Sequence, residues 1–234
     1  MDLKKYVYCA LDFSSLNKTL NFTHQISKEI GGIKIGLEFF LKYGIDGVQK
    51  MKKFGVPIFL DLKLHDIPNT VKKAVENIIS LEPELLTVHL SGGKEMIKEV
   101  IKVKKKTKII GVTMLTSLDK NDLYNIGLNI PESKFVDNLT KIGLSEGIDG
   151  VVSSPLEVKE LRKKYGNKLI YVTPGIRMIE DDVNDQKRLS TPGQAISDGA
   201  SILVVGRSIT SSKNPITSIN KIISNIRSEI ESKN

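Results

Sequence analysis

The chain has 234 residues, of which 40% are hydrophobic and 26% charged, and its formal net charge is +8 at pH 7. This is the composition of a soluble globular protein that is long enough to bury a substantial core. The single cysteine, Cys9, excludes an intrachain disulfide and a cysteine-based metal site. Without an apolar run approaching ~18 residues or a secretory signal, we expect a cytoplasmic protein with no membrane partner.

The positive charge favours anionic partners, either nucleic acid or small phosphorylated molecules. The lysines are scattered along predicted helices, as in Lys50, Lys52 and Lys53, and no aromatic residues alternate with them. Lysines in this pattern are typical of solvated helix faces. We therefore expect no nucleic-acid partner.

Eight short apolar runs predict eight strands, and a stretch of helical period follows each of them. The strands are predicted at 7–11, 33–36, 56–60 with a continuation to 64, 85–89, 108–115, 149–153, 169–172 and 202–205. Helices are predicted from 14 or 15 to 29, at 37–54, 71–81, 94–105, 135–147, from 155, and at 191–198 and 215–230, with an irregular segment at 118–131. Since right-handed βα units of this number close on themselves, residues 1–234 are predicted to form a single-domain (β/α)8 TIM barrel of the α/β class.

Three charges crowd the exit of the third strand. Asp61 and Lys63 are two residues apart and so share one face of the strand, while the intervening leucines point into apolar packing. Asp66 lies just past the strand end. There Pro68 removes a backbone donor, and Asn69 is predicted to cap the next helix.

In such barrels the chemistry lies at the C-terminal ends of the strands. Nearby carboxylates favour the ammonium form of a lysine, which can then donate a proton or stabilise a carbanion. The alternative is a structural ion-pair cluster, although buried pairs contribute little net stability. The polar residues predicted at the strand ends are Asp12, Lys34, Asp61, Lys63, Asp66, His89, Thr116, Arg177 and Arg207.

Gly206 and Arg207 follow the eighth strand, where barrels of this kind usually bind phosphate. Glycine lets backbone N–H groups approach a phosphate, and arginine adds a bidentate donor. Gln186, in the loop after the seventh strand, would add a neutral donor. A glycine turn followed by a solvated arginine is the alternative interpretation.

His89 is either a catalytic residue or a packing residue, and His65 is assigned no role. No histidine has the spacing of a zinc site. Asp61 and Asp66 could bind Mg²⁺, but the interleaved lysines repel a cation. We therefore expect no metal.

The segment 61–70, DLKLHDIPNT, resembles the signature of the orotidine 5′-monophosphate decarboxylase family. Sugar-phosphate decarboxylases and synthases of the same superfamily share its acid-x-lysine-x-x-acid core, whereas the IPNT extension is more specific. Shorter motifs follow in the family's order along nearly the whole chain: ALD at 10–12, KIG at 34–36, VTMLTS at 112–117, TPGIR at 173–177, DQ at 185–186 and VGR at 205–207.

The resemblance implies a cofactor-free decarboxylase that converts orotidine 5′-monophosphate to UMP in pyrimidine synthesis. Lys63 would protonate C6 of the pyrimidine as CO₂ leaves, Asp61 would lie beside the substrate carboxylate, and Lys34 would complete the charge network. Asp61 would act either by stressing the substrate or by fixing Lys63. The resemblance further implies a homodimer in which Asp66 and Thr70 reach the ribose in the neighbouring site, with Asp12 on the ribose hydroxyls, Thr116 on the base, and Arg177, Gln186, Gly206 and Arg207 around the phosphate.

Two rival functions are compatible with the sequence. One is a Mg²⁺-dependent sugar-phosphate decarboxylase or aldolase on the same barrel. The other is a basic, non-catalytic nucleic-acid-binding protein, whose binding would be salt-sensitive.

Overall fold

Eight parallel strands close into a barrel in chain order in the computed structural model, which describes residues 2–178 and 189–233. The first and last strands also pair, Tyr8 lying opposite Val204, so the described sheet is closed. The predicted fold class is confirmed. The strands are β1 (Val7–Ala10), β2 (Gly32–Gly36), β3 (Ile58–Leu64), β4 (Leu85–His89), β5 (Lys108–Val112), β6 (Gly150–Val152), β7 (Ile170–Thr173) and β8 (Ile202–Val205).

Helices follow the strands along the chain, and their apolar faces pack on the outer side of the barrel. Helix α2 bends at Gly44, whose φ of 54° and ψ of −150° are not helical. The described helices are α1 (Leu16–Ile26), α2 (Leu37–Lys52), α3 (Pro68–Ile78), α4 (Gly93–Val103), α5 (Lys120–Asn125), α6 (Glu132–Glu146), α7 (Pro155–Tyr165), α8 (Pro192–Ser197), α9 (Arg207–Thr210) and α10 (Pro215–Glu231).

Strand side chains alternate between two apolar layers. One layer fills the barrel interior and includes Tyr8, Phe59, Leu85 and Ile110. The larger layer joins the opposite faces of the strands to the helices. Asp61 continues the inward row of Phe59, so the alternation itself carries this carboxylate to the mouth of the barrel.

The start of α3 differs from the prediction. Ile67 occupies the N-cap position and Pro68 opens the helix, so Asn69 lies inside the first turn. The prediction that Asn69 caps this helix is therefore wrong. Proline is well suited to the first helical position because its missing N–H has no intrahelical partner there.

The segment predicted to be irregular contains α5. Asp119 accepts from the backbone N–H groups of Asn121 and Asp122, and the side chain of Asp122 accepts from the N–H of Asp119 at 2.9 Å. This reciprocal capping box stabilises a helix too short to show hydrophobic periodicity.

Helix α9 is likewise an addition to the predicted elements, and β5 ends at Val112, inside the predicted range 108–115. No helix among the described residues combines the length and the apolar character needed to cross a bilayer.

Candidate active site

Three charged side chains from two adjacent strands meet at the mouth of the barrel. Lys34 lies on β2, and Asp61 and Lys63 lie on β3. The Nζ atom of Lys63 donates to Oδ2 of Asp61 at 2.8 Å, and the Nζ atom of Lys34 lies 3.4 Å from the same oxygen. One carboxylate oxygen therefore receives both ammonium groups, and the predicted charge network of Lys34, Asp61 and Lys63 is present.

Asp12, which follows β1, extends this network. Its Oδ1 atom lies 3.9 Å from the Nζ atom of Lys34. The Asp12 side chain is 57% exposed, whereas those of Lys34 and Asp61 are each 12% exposed. The network thus runs from the buried carboxylate of Asp61 to the solvent-exposed carboxylate of Asp12, with Lys34 between them.

Strand β3 leaves its regular register at this point. Leu60 pairs with Leu86 and Leu64 pairs with Val88, so β3 carries extra residues between two close positions of β4. Lys63, inside this bulge, has a φ of 48°, in the left-handed region that residues with a Cβ seldom adopt.

Thr87 of β4 bridges Asp61 and Lys63. Its buried hydroxyl accepts from the backbone N–H of Lys63 at 2.8 Å and donates to Oδ1 of Asp61 at 3.0 Å. The sequence pattern does not single out Thr87. The sequence feature that could have indicated Thr87 is its hydroxyl group, which stands among the apolar residues Leu85, Leu86 and Val88 of β4.

The charge state of Asp61 is set by opposing effects. Burial raises the pKa of this carboxyl group, but attraction to Lys34 and Lys63, together with hydrogen bonds from Lys63 and Thr87, outweighs burial and lowers the pKa below its ordinary value. Asp61 is therefore a carboxylate at neutral pH.

A cavity of about 850 Å³ opens at the C-terminal ends of the strands, a volume typical of small-molecule sites. The cavity wall also includes Phe13, Lys18 and Ser211, which the sequence pattern does not single out. The predicted site residues in its wall are Asp12, Lys34, Asp61, Lys63, Thr116, Arg177, Gly206 and Arg207.

The segments that follow β7 and β8 bring arginines into this wall. Gly175, with a φ of 76°, makes the turn after β7 that a residue with a Cβ would strain. Arg177 follows it and donates to the carbonyl of Ile176 at 2.9 Å. Arg207 is the first residue of α9, directly after Gly206. The cavity therefore combines a carboxylate–ammonium cluster with two guanidinium groups, while Gln186 lies outside the described residues.

The sequence pattern of the "Orotidine 5′-phosphate decarboxylase / HUMPS family" matches residues 5–222. The chain belongs to this family. The family predicted from the sequence is thereby confirmed. The predicted enzyme class, a carboxy-lyase, is confirmed as well, because the relatives are named as decarboxylases.

Relatives of the family match nearly the whole length of the chain. Orotidine 5′-phosphate decarboxylase of Sphingopyxis alaskensis is 49% identical over 210 residues, which are 89% of this chain and 93% of that protein. The protein of the same name from Ehrlichia canis is 46% identical over 222 residues, covering 94% of this chain and 97% of the relative. The crystal structure of orotidine 5′-phosphate decarboxylase from Lactobacillus acidophilus matches with a TM-score of 0.83 and 34% identity, over 94% of this chain and 98% of that chain.

Two residues that the family resemblance places at a substrate do not line the cavity of this chain. Asp66 and Thr70 are both exposed. Oδ1 of Asp66 accepts from the backbone N–H of Ile67 at 2.6 Å, which turns the chain into α3. The wall of this cavity is therefore built without Asp66 and Thr70.

His89 also lies outside the cavity lining. Its ring packs against that of His65, with centroids 5.2 Å apart. Burial, and then repulsion from His65 and Lys63, lower the pKa of His89. Of the two interpretations of His89, its placement favours the packing residue.

Within residues 2–178 and 189–233, no three His, Cys, Asp or Glu side chains gather closely enough to hold a metal ion. Lys34 stands between the carboxylates of Asp12 and Asp61.

Proposed function

We propose that this chain decarboxylates orotidine 5′-phosphate to UMP and CO₂, with Lys63 as the proton donor to C6 and without a metal or an organic cofactor. The observation that carries the proposal is the convergence of Lys34 and Lys63 on one oxygen of Asp61, in the wall of a cavity that also holds Arg207. Family membership supports the reaction, and this geometry supports the roles of the residues.

Lys63 is assigned the proton transfer. When the C6–carboxylate bond breaks, CO₂ leaves and an electron pair remains on the ring carbon. A preorganised ammonium group beside C6 stabilises that charge before any proton moves. The pair then takes a proton from Nζ of Lys63, which becomes a neutral amine and regains its proton from solvent.

Asp61 has two compatible contributions. Its 2.8 Å contact with Lys63 orients the ammonium group towards the cavity. A substrate carboxylate bound beside it would be repelled, and that repulsion disappears when CO₂ leaves. Lys34 limits the repulsion by holding the same oxygen.

The arginines serve the phosphate. Arg177 and Arg207, together with the turn at Gly206, would bind the 5′-phosphate, with Gln186 as a further contact. Asp12 would bind the ribose hydroxyls and Thr116 the base. Binding energy from these remote contacts holds the ring in place against the charged cluster.

The deciding experiment follows the absorbance of orotidine 5′-phosphate after addition of EDTA-treated protein. We expect the absorbance to fall at the same rate with and without EDTA, and UMP to accumulate. Unchanged orotidine 5′-phosphate, together with turnover of a sugar phosphate that disappears with EDTA and returns with Mg²⁺, would favour the metal-dependent sugar-phosphate enzyme. Salt-sensitive retention of DNA or RNA without UMP formation would favour the nucleic-acid-binding protein. A cytoplasmic location belongs to the same proposal, because substrate and product are charged nucleotides.

The proposal includes a homodimer with shared sites. Asp66 and Thr70 are exposed beside Ile67, whose side chain is 67% exposed. On the adjacent unit, Leu37 and Leu41 lie one turn apart at the start of α2, and Leu41 is 80% exposed. Apolar side chains exposed on two neighbouring connections of the barrel mouth are typical of a protein interface, and a second copy there would cover them and receive Asp66.

A complementation experiment tests the shared sites. Lys63→Ala and Asp66→Ala are each expected to inactivate the homodimer. Mixing the two under subunit exchange creates one site that carries both substitutions and one that carries neither, so part of the activity should return. A mixture as inactive as its components would show that Asp66 does not act in a neighbouring subunit. Leu41→Lys, checked by light scattering, should shift the protein towards the monomer.

A further inference from the structure

We propose that Thr87 is a positioning residue for the reaction: its hydroxyl sets both the backbone conformation of Lys63 and the rotation of the Asp61 carboxylate. The reaction itself rests on the proposed function. The positioning rests on contacts among three residues of β3 and β4.

The direction of each hydrogen bond at Thr87 is determined by its partners. A backbone N–H can only donate, so the hydroxyl oxygen accepts from Lys63. An ionised carboxylate can only accept, so the single hydroxyl proton goes to Oδ1 of Asp61. Thr87 is fully buried, which leaves these two partners without an easy replacement from water.

The bulge explains why a side chain is needed here. Between the pairs Leu60–Leu86 and Leu64–Val88, Thr87 is the one β4 residue that faces the extra residues of β3. Its hydroxyl accepts the N–H of Lys63, a residue held at a φ of 48°. A left-handed residue with a Cβ persists only where its surroundings stabilise it. Since this conformation decides where the Lys63 side chain begins, Thr87 helps to aim the ammonium group.

The two oxygens of Asp61 have different partners. Oδ1 accepts from Thr87, while Oδ2 meets both Lys63 and Lys34. Without the Thr87 hydroxyl, the carboxylate can rotate and exchange its oxygens between the lysines. The hydroxyl thus keeps a single oxygen directed at both ammonium groups.

Thr87→Val and Thr87→Ser separate positioning from packing. Valine keeps the branched shape and lacks the hydroxyl, whereas serine keeps the hydroxyl and lacks the methyl group. We expect Thr87→Val to lower kcat by about 10- to 100-fold, the order expected when reacting groups are misplaced, with little change in KM. Thr87→Ser should remain close to the unsubstituted protein.

A residue that only packs would give the opposite order, with valine tolerated and serine impaired, and that result would overturn the proposal. Thr87→Cys is a second variant of similar size with a weak donor, for use if Thr87→Val does not fold. Melting temperatures of all variants establish that folded proteins are compared.

A readout without substrate keeps this inference separate from the proposed function. ¹³C NMR of the Asp61 carboxyl group should show a higher titration midpoint in Thr87→Val than in Thr87→Ser, because one hydrogen bond to the ionised form is lost. The titratable groups facing this carboxyl are Lys34 on β2, Lys63 on β3 and His89 on β4, with Asp12 beyond Lys34. These are the same in both variants.

The two proposals fail differently. If the unsubstituted protein leaves orotidine 5′-phosphate intact, the proposed reaction is wrong, and the NMR comparison still decides whether Thr87 positions Asp61. If the protein is active but Thr87→Val changes neither kcat nor the titration of Asp61, the positioning role is wrong.

Discussion

The two ends of the barrel use the same chemical groups in different arrangements. At the N-terminal end, Glu84 accepts from the hydroxyl of Tyr8 at 2.7 Å and from Lys108 at 3.1 Å. At the C-terminal end, Asp61 accepts from a threonine hydroxyl and from Lys63, with Lys34 close by. Each cluster contains a carboxylate, a hydroxyl and at least one lysine. The clusters differ in the conformation of the backbone around them, which is regular at the N-terminal end and bulged at the C-terminal end.

At the N-terminal end the geometry is regular. The donors of Tyr8 and Lys108 bind separate oxygens of Glu84, and the ring of Tyr8 packs over Gly32, where a Cβ atom would come within 2.2 Å of it. Burial and the hydrogen bond to Glu84 raise the pKa of Tyr8 above its ordinary range, so its hydroxyl stays a neutral donor. This end closes the barrel interior.

At the C-terminal end, the backbone of Lys63 adopts the left-handed conformation. The ammonium groups of Lys34 and Lys63 both lie close to one oxygen of Asp61. A left-handed backbone conformation costs free energy and buried ion pairs add little net stability, so this arrangement is typical of a functional site. The comparison therefore predicts that substitutions at the C-terminal cluster change catalysis, whereas substitutions at the N-terminal cluster change stability alone.

The largest effect is expected for Lys63→Ala. Loss of the proton donor and of the charge beside C6 should lower kcat by about 10⁴-fold, with the fold intact. UMP formation and circular dichroism measure the two quantities. Lys50→Ala, on an exposed part of α2, is the matched control. Near-normal UMP formation by Lys63→Ala would remove the difference between the two ends.

Arg207→Ala should have the next largest effect. Removing a charged, bidentate phosphate contact costs about 3–4 kcal/mol of transition-state binding, or roughly 10²- to 10³-fold in kcat/KM. Arg227→Ala, an exposed arginine on α10, controls for net charge. An unchanged kcat/KM would show that Arg207 does not bind the substrate phosphate.

The pH dependence of stability sharpens the comparison further. The folded protein lowers the pKa of Asp61, so its ionised form contributes stability above the ordinary aspartate value of about 3.9, and this contribution is lost as the pH falls through the lower folded value. The difference in unfolding free energy between the unsubstituted protein and Asp61→Asn should therefore shrink below about pH 4.

Urea unfolding at a series of pH values measures this difference, with Asp46→Asn on α2 as the control substitution. A difference that stays constant through the acid range would show that the lysines do not stabilise the Asp61 carboxylate.

The smallest effect is expected at the other end of the barrel. Tyr8→Phe removes one hydrogen bond to Glu84, which retains Lys108. The loss should be about 1 kcal/mol of stability, or roughly 2–4 °C in melting temperature, with kcat/KM unchanged. Calorimetry and the decarboxylation assay measure the two quantities, and a fall in kcat/KM would contradict the division of roles between the ends.

Much of the fold and the site follows from local patterns. The alternation of apolar runs with helical stretches predicts the closed barrel, and position at or just past the C-terminal end of a strand places Asp12, Lys34, Asp61 and Arg207 at one rim. Both inferences use only spacing along a single strand or unit, which the sequence contains. Helix α5 and the first turn of α3 were not predicted correctly, because capping contacts and a proline at the first position outweigh periodicity in short segments.

Sequence alone therefore determined that Lys34, Asp61 and Lys63 reach the mouth of the barrel, since side-chain direction along a strand is a local property. Only the tertiary structure decided that Lys34 and Lys63 share one oxygen of Asp61, and that the Thr87 hydroxyl bonds to both Lys63 and Asp61. These contacts join three different strands. They depend on the register between strands, which is set by the packing of the whole barrel.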